Sequence, residues 1–136
     1  MPPKRKLIAL IDDDSSCRKA LDRQISAAGF RCQAFASAEE YLMVAALCGA
    51  AGIVSDIHLG GLSGLELAVH PTIVEMSIPV VLISGSIDPL IEHSAEQISS
   101  AFLRKPIPPG KLLEAIVDSV GPPLSDGEDD EENLNS

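Results

Sequence analysis

The sequence predicts a doubly wound α/β domain in which five parallel strands alternate with five helices. Short apolar runs such as Leu7–Ile11 and Val80–Ser84 are continuous rather than alternating, as in strands buried on both faces. Segments with helical spacing of apolar residues lie between these runs. Strand–helix alternation of this kind builds a parallel sheet through right-handed crossovers.

Leu7–Ile11 opens the sheet, and Asp14 or Ser15 can cap the helix that follows. There Ala20, Leu21, Gln24, Ile25 and Ala28 recur at helical spacing until Gly29 stops them. Phe30–Phe35 forms the second strand. Ser37-Ala38-Glu39-Glu40 has the form of a capping box and opens a helix ending near Gly49. Gly52–Ser55 is the third strand and runs into Asp56. The loop "HLGGLSG" precedes a helix from about Leu65, which Pro71 must kink, end or restart. Pro79 introduces the fourth strand, Val80–Ser84. Pro89–Ile98 is helical, Ala101–Arg104 is a short fifth strand, and Pro109–Val120 is the last helix, closed by Gly121-Pro122. Residues 1–6 form an N-terminal tail, 7–121 the domain, and 122–136 an acidic tail with no apolar face, expected to be disordered.

At 136 residues the chain is long enough for one ordinary core. It is 46% hydrophobic but only 3% aromatic, so Leu, Ile, Val and Ala must fill that core. Six of the ten net negative charges lie within residues 122–136, leaving a mildly acidic body without a basic stripe. That balance argues against nucleic-acid binding. Lys4-Arg5-Lys6 is a solvated tail, a nucleic-acid arm or a targeting signal, and the first reading is the simplest. No run is long enough to span a membrane, and Asp12 cuts the first apolar run too short for a signal peptide. Cys17, Cys32 and Cys48 lack CxxC spacing and are read as reduced thiols of a cytoplasmic protein, each packing as a small hydrophobe. His58, His70 and His93 share no metal-ligand spacing.

The stretch "LIALIDDDSS" sets three consecutive carboxylates against a hydrophobic strand. Capping a helix needs only one of them. In a doubly wound sheet the working crevice lies beyond the carboxyl ends of the strands. Asp12 and Asp13 end the first strand, Asp56 the third, Ser84 the fourth and Lys105 the fifth, so all of them converge there. Carboxylates gathered in one crevice repel, and a hard divalent cation relieves them. Mg²⁺ takes few protein carboxylates and leaves positions for phosphate oxygens. Three carboxylates, Mg²⁺ and the Lys105 ammonium together are neutral. Such a site can take a phosphoryl group, its charge spread between metal and ammonium, with Ser84 donating to another oxygen. A carboxylate facing the metal can be the nucleophile and form an aspartyl phosphate.

These residues resemble those of the receiver domain of two-component response regulators, over Leu7 to about Val120. The acidic pair after strand one matches Asp12-Asp13, the phosphoacceptor Asp56, the hydroxyl residue Ser84, and the Lys-Pro pair Lys105-Pro106. From Asp13 to Asp56, Ser84 and Lys105 the successive spacings of 43, 28 and 21 residues are also family-like. The resemblance implies a flavodoxin-like sheet, direct Mg²⁺ ligation by Asp13 and Asp56, and ligation by Asp12 through water. It further implies a main-chain carbonyl ligand from His58, a cis peptide before Pro106, and a switch in which Ser84 and Phe102 move together. Phosphoryl groups would come from a sensor histidine kinase or a phosphotransfer protein. The domain would signal through a downstream protein partner rather than act as an enzyme, with no membrane or nucleic acid involved. Several positions depart from the family pattern. Gly60 replaces a usual proline in the loop after Asp56, Ser84 stands where threonine is commoner, and the usual Gly-Ala before strand five is missing from "ISSAFLRKP". His58, two residues past Asp56, either flanks the phosphoryl group or is simply exposed.

A second reading is a small haloacid-dehalogenase-type phosphohydrolase with Asp12 as nucleophile and Asp14 as acid/base. It needs a further acidic residue on a strand end after the lysine, and only Glu128–Glu132 lies that late. A third is a degenerate receiver used only for binding, against which the full set of site residues argues. Because only 15 residues follow Gly121, a stand-alone receiver is expected, serving as a phosphorelay carrier or a phosphorylation-gated binding protein.

Overall fold

Burial on both faces decides which strands sit inside the sheet. In this computed structural model, which describes residues 4–86 and 88–124, five parallel strands form one sheet in the order β2-β1-β3-β4-β5. They are β1 (Leu7–Ile11), β2 (Arg31–Phe35), β3 (Gly52–Asp56), β4 (Val80–Ser84) and β5 (Ala101–Arg104). Every residue of β1, β3 and β4 is buried, and these three occupy the centre. The edge strands read RCQAF and AFLR and carry the exposed or half-buried positions. The helices are α1 (Ser15–Ala27), α2 (Ala38–Cys48), α3 (Gly64–Ala68), α4 (Pro71–Met76), α5 (Pro89–Ile98) and α6 (Lys111–Val120).

Among the described residues six helical segments stand where five were expected, because one helix ends before Pro71 and another restarts at it. Proline fits the first position of a helix, where its missing N–H leaves nothing unpaired. His70 caps α4, its Nδ1 accepting the Thr72 N–H at 3.2 Å. The last helix begins at Lys111 rather than Pro109, since Gly110 takes a left-handed φ of 82° and the Lys111 N–H closes a turn onto the Pro108 carbonyl. Ser37 caps α2 by accepting the Glu40 N–H at 3.1 Å, but the Glu40 carboxylate turns to the Ala36 N–H, so the expected box is only half made. A complete box instead opens α3, between Ser63 and Glu66.

Side chains alternate across each strand, so one strand feeds two cores. Ala9 and Ile11 of β1 face a cluster with Tyr41, Ile53, Leu67, Ile73 and Leu82, covered by α2 to α5. Ile8 and Leu10 face the other, with Leu21, Ile25, Val54 and Ile116, covered by α1 and α6. Each fully buried Leu, Ile or Val among them contributes about 1.5–3 kcal/mol on burial. The Tyr41 ring meets Phe35 edge-on at 5.3 Å, while its hydroxyl is buried without a hydrogen-bond partner. That burial pushes the phenol up to about 12.

Lys6 is not a freely solvated tail residue. Its Nζ donates to the Val120 carbonyl at 2.6 Å and its N–H to that of Pro123 at 2.7 Å, and Arg5 bridges Leu124. The expected disorder of the acidic tail concerns, from residue 125 on, positions outside the described residues. All three cysteines are free. Burial, then the neighbouring Asp22, pushes the Cys32 thiol up to about 12, which suits an apolar packing role.

Candidate functional site

The strand order reverses between β1 and β3, the place where an open α/β sheet leaves a crevice at its carboxyl ends. Ile11 pairs with Ser55, which brings Asp12 level with Asp56 across that crevice. Hydrogen bonds continue one residue past the strands. The N–H groups of Asp12, Ile57 and Lys105 donate to the carbonyls of Phe35, Ile83 and Ser84 at 3.1, 2.9 and 2.9 Å. Site residues at the strand ends are thereby held by backbone pairing.

The three consecutive aspartates divide the work. Asp14 caps α1, its Oδ1 accepting the N–H groups of Ser16 at 2.9 Å and Cys17 at 3.2 Å. Asp13 is exposed at the crevice mouth. Asp12 is 1% exposed; its Oδ1 accepts the Asp14 N–H at 2.9 Å, and its Oδ2 is buried without a hydrogen-bond partner. Burial, reinforced by the charges of Asp56 and Asp13, raises the Asp12 carboxyl above the ordinary value, against the Asp14 amide and Lys105.

Asp56 is 9% exposed. Its Oδ2 lies 2.7 Å from the Lys105 Nζ and its Oδ1 accepts the His58 N–H at 2.9 Å. Burial pulls the Lys105 ammonium down, but the hydrogen bond and charge of Asp56 with the charge of Asp12 outweigh it, leaving Lys105 above its ordinary value. Ser84 is fully buried at the end of β4; its Oγ accepts the Ser86 N–H at 3.0 Å and lies 3.3 Å from Nε2 of the exposed His58. The peptide bond between Lys105 and Pro106 is cis. Leu82 pairs with Phe102 and Ser84 with Arg104, so the half-buried Phe102 ring packs into the core on the sheet face below Ser84. Arg104 is ion-paired with Glu92 of α5.

The orphaned Asp12 oxygen, the adjacent Asp13 and Asp56 form an oxygen-only donor set that fits a hard divalent cation. Among the described residues, no three His, Cys, Asp or Glu side chains stand close enough to hold a metal alone. An open set of this kind suits Mg²⁺, which keeps several waters, better than a closed cage would. Gly64 fits because a Cβ there would lie 2.5 Å from the Asp56 carbonyl oxygen. One contact to the loop that follows Asp56 has no counterpart in the sequence reading: Glu39 of α2 accepts the Leu62 N–H at 2.8 Å. The two residues are 23 positions apart, and an exposed glutamate in a first helical turn carries no signal of such a contact.

A strand-end aspartate paired with a lysine thus faces two further carboxylates at the switch point of a parallel α/β sheet. The chain matches the response regulator receiver domain over residues 8–117 and belongs to that family. It is 31% identical over 109 residues to the C4-dicarboxylate transport transcriptional regulatory protein DctD of Rhizobium meliloti, covering 79% of this chain and 24% of that protein. It is 28% identical to the transcriptional regulatory protein FixJ of Bradyrhizobium diazoefficiens, covering 83% of this chain and 56% of FixJ. The chain therefore spans about a quarter to just over half of these relatives. Among solved structures it superposes on FixJ-N with a TM-score of 0.78 at 25% identity, covering 86% of this chain and 94% of that one. The fold is also shared with the chemotaxis protein CheY4 of Vibrio cholerae, at a TM-score of 0.74 and 20% identity, over 85% of this chain and 98% of the other. The phosphohydrolase reading is not favoured. Asp14, its acid/base, is committed to capping α1. Among the described residues, no helix is long and apolar enough to cross a membrane.

Proposed function

We propose that this receiver domain accepts a phosphoryl group on Asp56 from a sensor histidine kinase or phosphotransfer protein and passes the signal to a protein partner. The observation that carries this reading is the Asp56–Lys105 pair at 2.7 Å beside the partnerless oxygen of Asp12. Asp56 is the nucleophile. Lys105 neutralises its carboxylate before transfer and can follow the charge onto a phosphoryl oxygen afterwards. Asp12, Asp13, Asp56 and the His58 carbonyl would hold Mg²⁺, which supplies charge neutralisation for the incoming phosphoryl oxygens. Incubation with Mg²⁺ and acetyl phosphate tests the reading: intact mass should show one added phosphoryl group, and an unchanged mass overturns it.

Ser84 and Phe102 carry the signal away from the crevice. If the Ser84 hydroxyl turns toward a phosphoryl oxygen it leaves Ser86 and His58, and the vacated space lies above Phe102 on the same sheet face. The Phe102 ring then moves inward, and the α5–β5 edge tied by Glu92 and Arg104 presents a changed surface. Ser84→Ala should still take phosphate at Asp56, while amide shifts at Phe102 and α5 shrink several-fold relative to the wild type. Full-sized shifts in the variant would remove Ser84 from the switch.

A further inference from the structure

The loop between Asp56 and α3 borders the acidic crevice and carries two adjacent glycines, Gly60 and Gly61, at its middle. Glycine has the widest backbone freedom of any residue, so this stretch is not stiffened from within. Its own fastenings lie at its ends: the His58 N–H donates to Asp56 Oδ1 and the Gly64 N–H to the Ile57 carbonyl, each at 2.9 Å. The fastening in the middle comes from another element. Glu39, in the first turn of α2, reaches across with Oε2 to accept the Leu62 N–H at 2.8 Å. The carboxylate lies flat on the loop, since a Cβ on Gly61 would fall 2.2 Å from Oε2 and 2.9 Å from Cδ. On the crevice side, a Cβ on Gly60 would stand 4.0 Å from the Asp13 Oδ2. The loop thus lies between the mouth of the crevice and a helix carboxylate, and the carboxylate holds its middle.

We infer that Glu39 is a positioning residue of the phosphorylation site: its carboxylate latches the glycine loop beside the acidic crevice, holding His58 and its backbone in place for the divalent cation. The inference rests on the function proposed above and adds a residue from outside the crevice to it. The latch replaces internal stiffness with a tether from a helix whose own position is fixed by the buried Ala38, Tyr41 and Ala45. It also gives Gly61 a reason: any side chain there displaces the carboxylate.

Full-length Glu39→Ala and Glu39→Gln decide the matter, with Mg²⁺ alone as the probe. Without metal, Glu39→Ala should speed amide hydrogen exchange at Leu62 by about tenfold, the loss of one hydrogen bond, while β1 and β3 amides keep their protection. The Mg²⁺ concentration giving half the maximal rise in Tm should increase about three- to tenfold. Saturating Mg²⁺ should restore acetyl phosphate labelling to the wild-type extent. Glu39→Gln keeps an acceptor oxygen and should stay close to wild type in both measurements. Unchanged exchange at Leu62, or an unchanged Mg²⁺ midpoint, overturns the latch. Glu39→Gln behaving like Glu39→Ala also overturns it, because charge alone would then be at work. If the wild-type protein shows neither Mg²⁺ response nor labelling, the function reading fails instead, and Leu62 exchange then decides the latch.

Discussion

Asp56→Asn will stay folded and lose phosphoryl uptake by at least about a thousandfold, because an amide is a far weaker nucleophile than a carboxylate. The substitution is nearly isosteric. An Asn oxygen can still accept the His58 N–H now bound by Oδ1, so the loop loses little support. Lys105 loses its ion-pair partner, but Asp12 remains close enough to act on its charge. The measurement is intact mass after incubation with Mg²⁺ and acetyl phosphate, beside a melting curve. Equal labelling of wild type and variant would place the acceptor elsewhere.

The second large effect concerns the crevice without its cation. Asp12 is nearly fully buried, its Oδ2 has no partner, and its carboxyl is raised first by burial and then by the charges of Asp56 and Asp13. A carboxyl whose folded value lies above its unfolded one disfavours folding where both states are charged. That cost is complete above the folded value, fades as pH falls through it, and is absent below the unfolded value. Wherever Asp12 is charged in the fold, the metal-free protein therefore carries that cost. Asp12→Asn should raise its Tm, by roughly 4 °C if about 1 kcal/mol is recovered. In the wild type, Mg²⁺ at ten times its Kd should contribute about 1.4 kcal/mol through linkage. Asp12→Asn and Asp13→Asn should each lose most of that rise. A wild-type melting curve indifferent to millimolar Mg²⁺, or an Asp12→Asn protein that melts lower without metal, would contradict this account.

Legibility in the sequence followed the physics of burial. The runs LIALI and VVLIS could be read as central strands because burial on both faces leaves no room for polar alternation. With the strands fixed, their carboxyl ends place Asp12, Asp56, Ser84 and Lys105 around one crevice. The division of labour within Asp12-Asp13-Asp14 was half visible: a cap was expected at Asp14 or Ser15, and Asp14 takes it. Other features depend on geometry that local sequence does not carry. Pro71 allowed a kink, an end or a restart, and the cap from His70 accompanies the restart. Lys6 looked like a tail residue until the last helix brought the Val120 carbonyl to its ammonium. Glu39 is one exposed glutamate among several, and only the folded loop shows that it holds Leu62.

The buried Tyr41 makes the protein an unusual optical object. Without tryptophan, its near-ultraviolet absorbance and intrinsic emission come from this single phenol and three weaker phenylalanines. The chromophore sits at 0% exposure against Phe35, so its signal reports core packing rather than events at the surface. In alkaline titration the phenol, held at about 12 in the fold against about 10 in open chain, loses its proton first in unfolded molecules. Rising pH through that interval therefore pulls the equilibrium toward unfolding. The phenolate band will then trace opening of the core, with a cooperative steepness that an exposed tyrosine would not show.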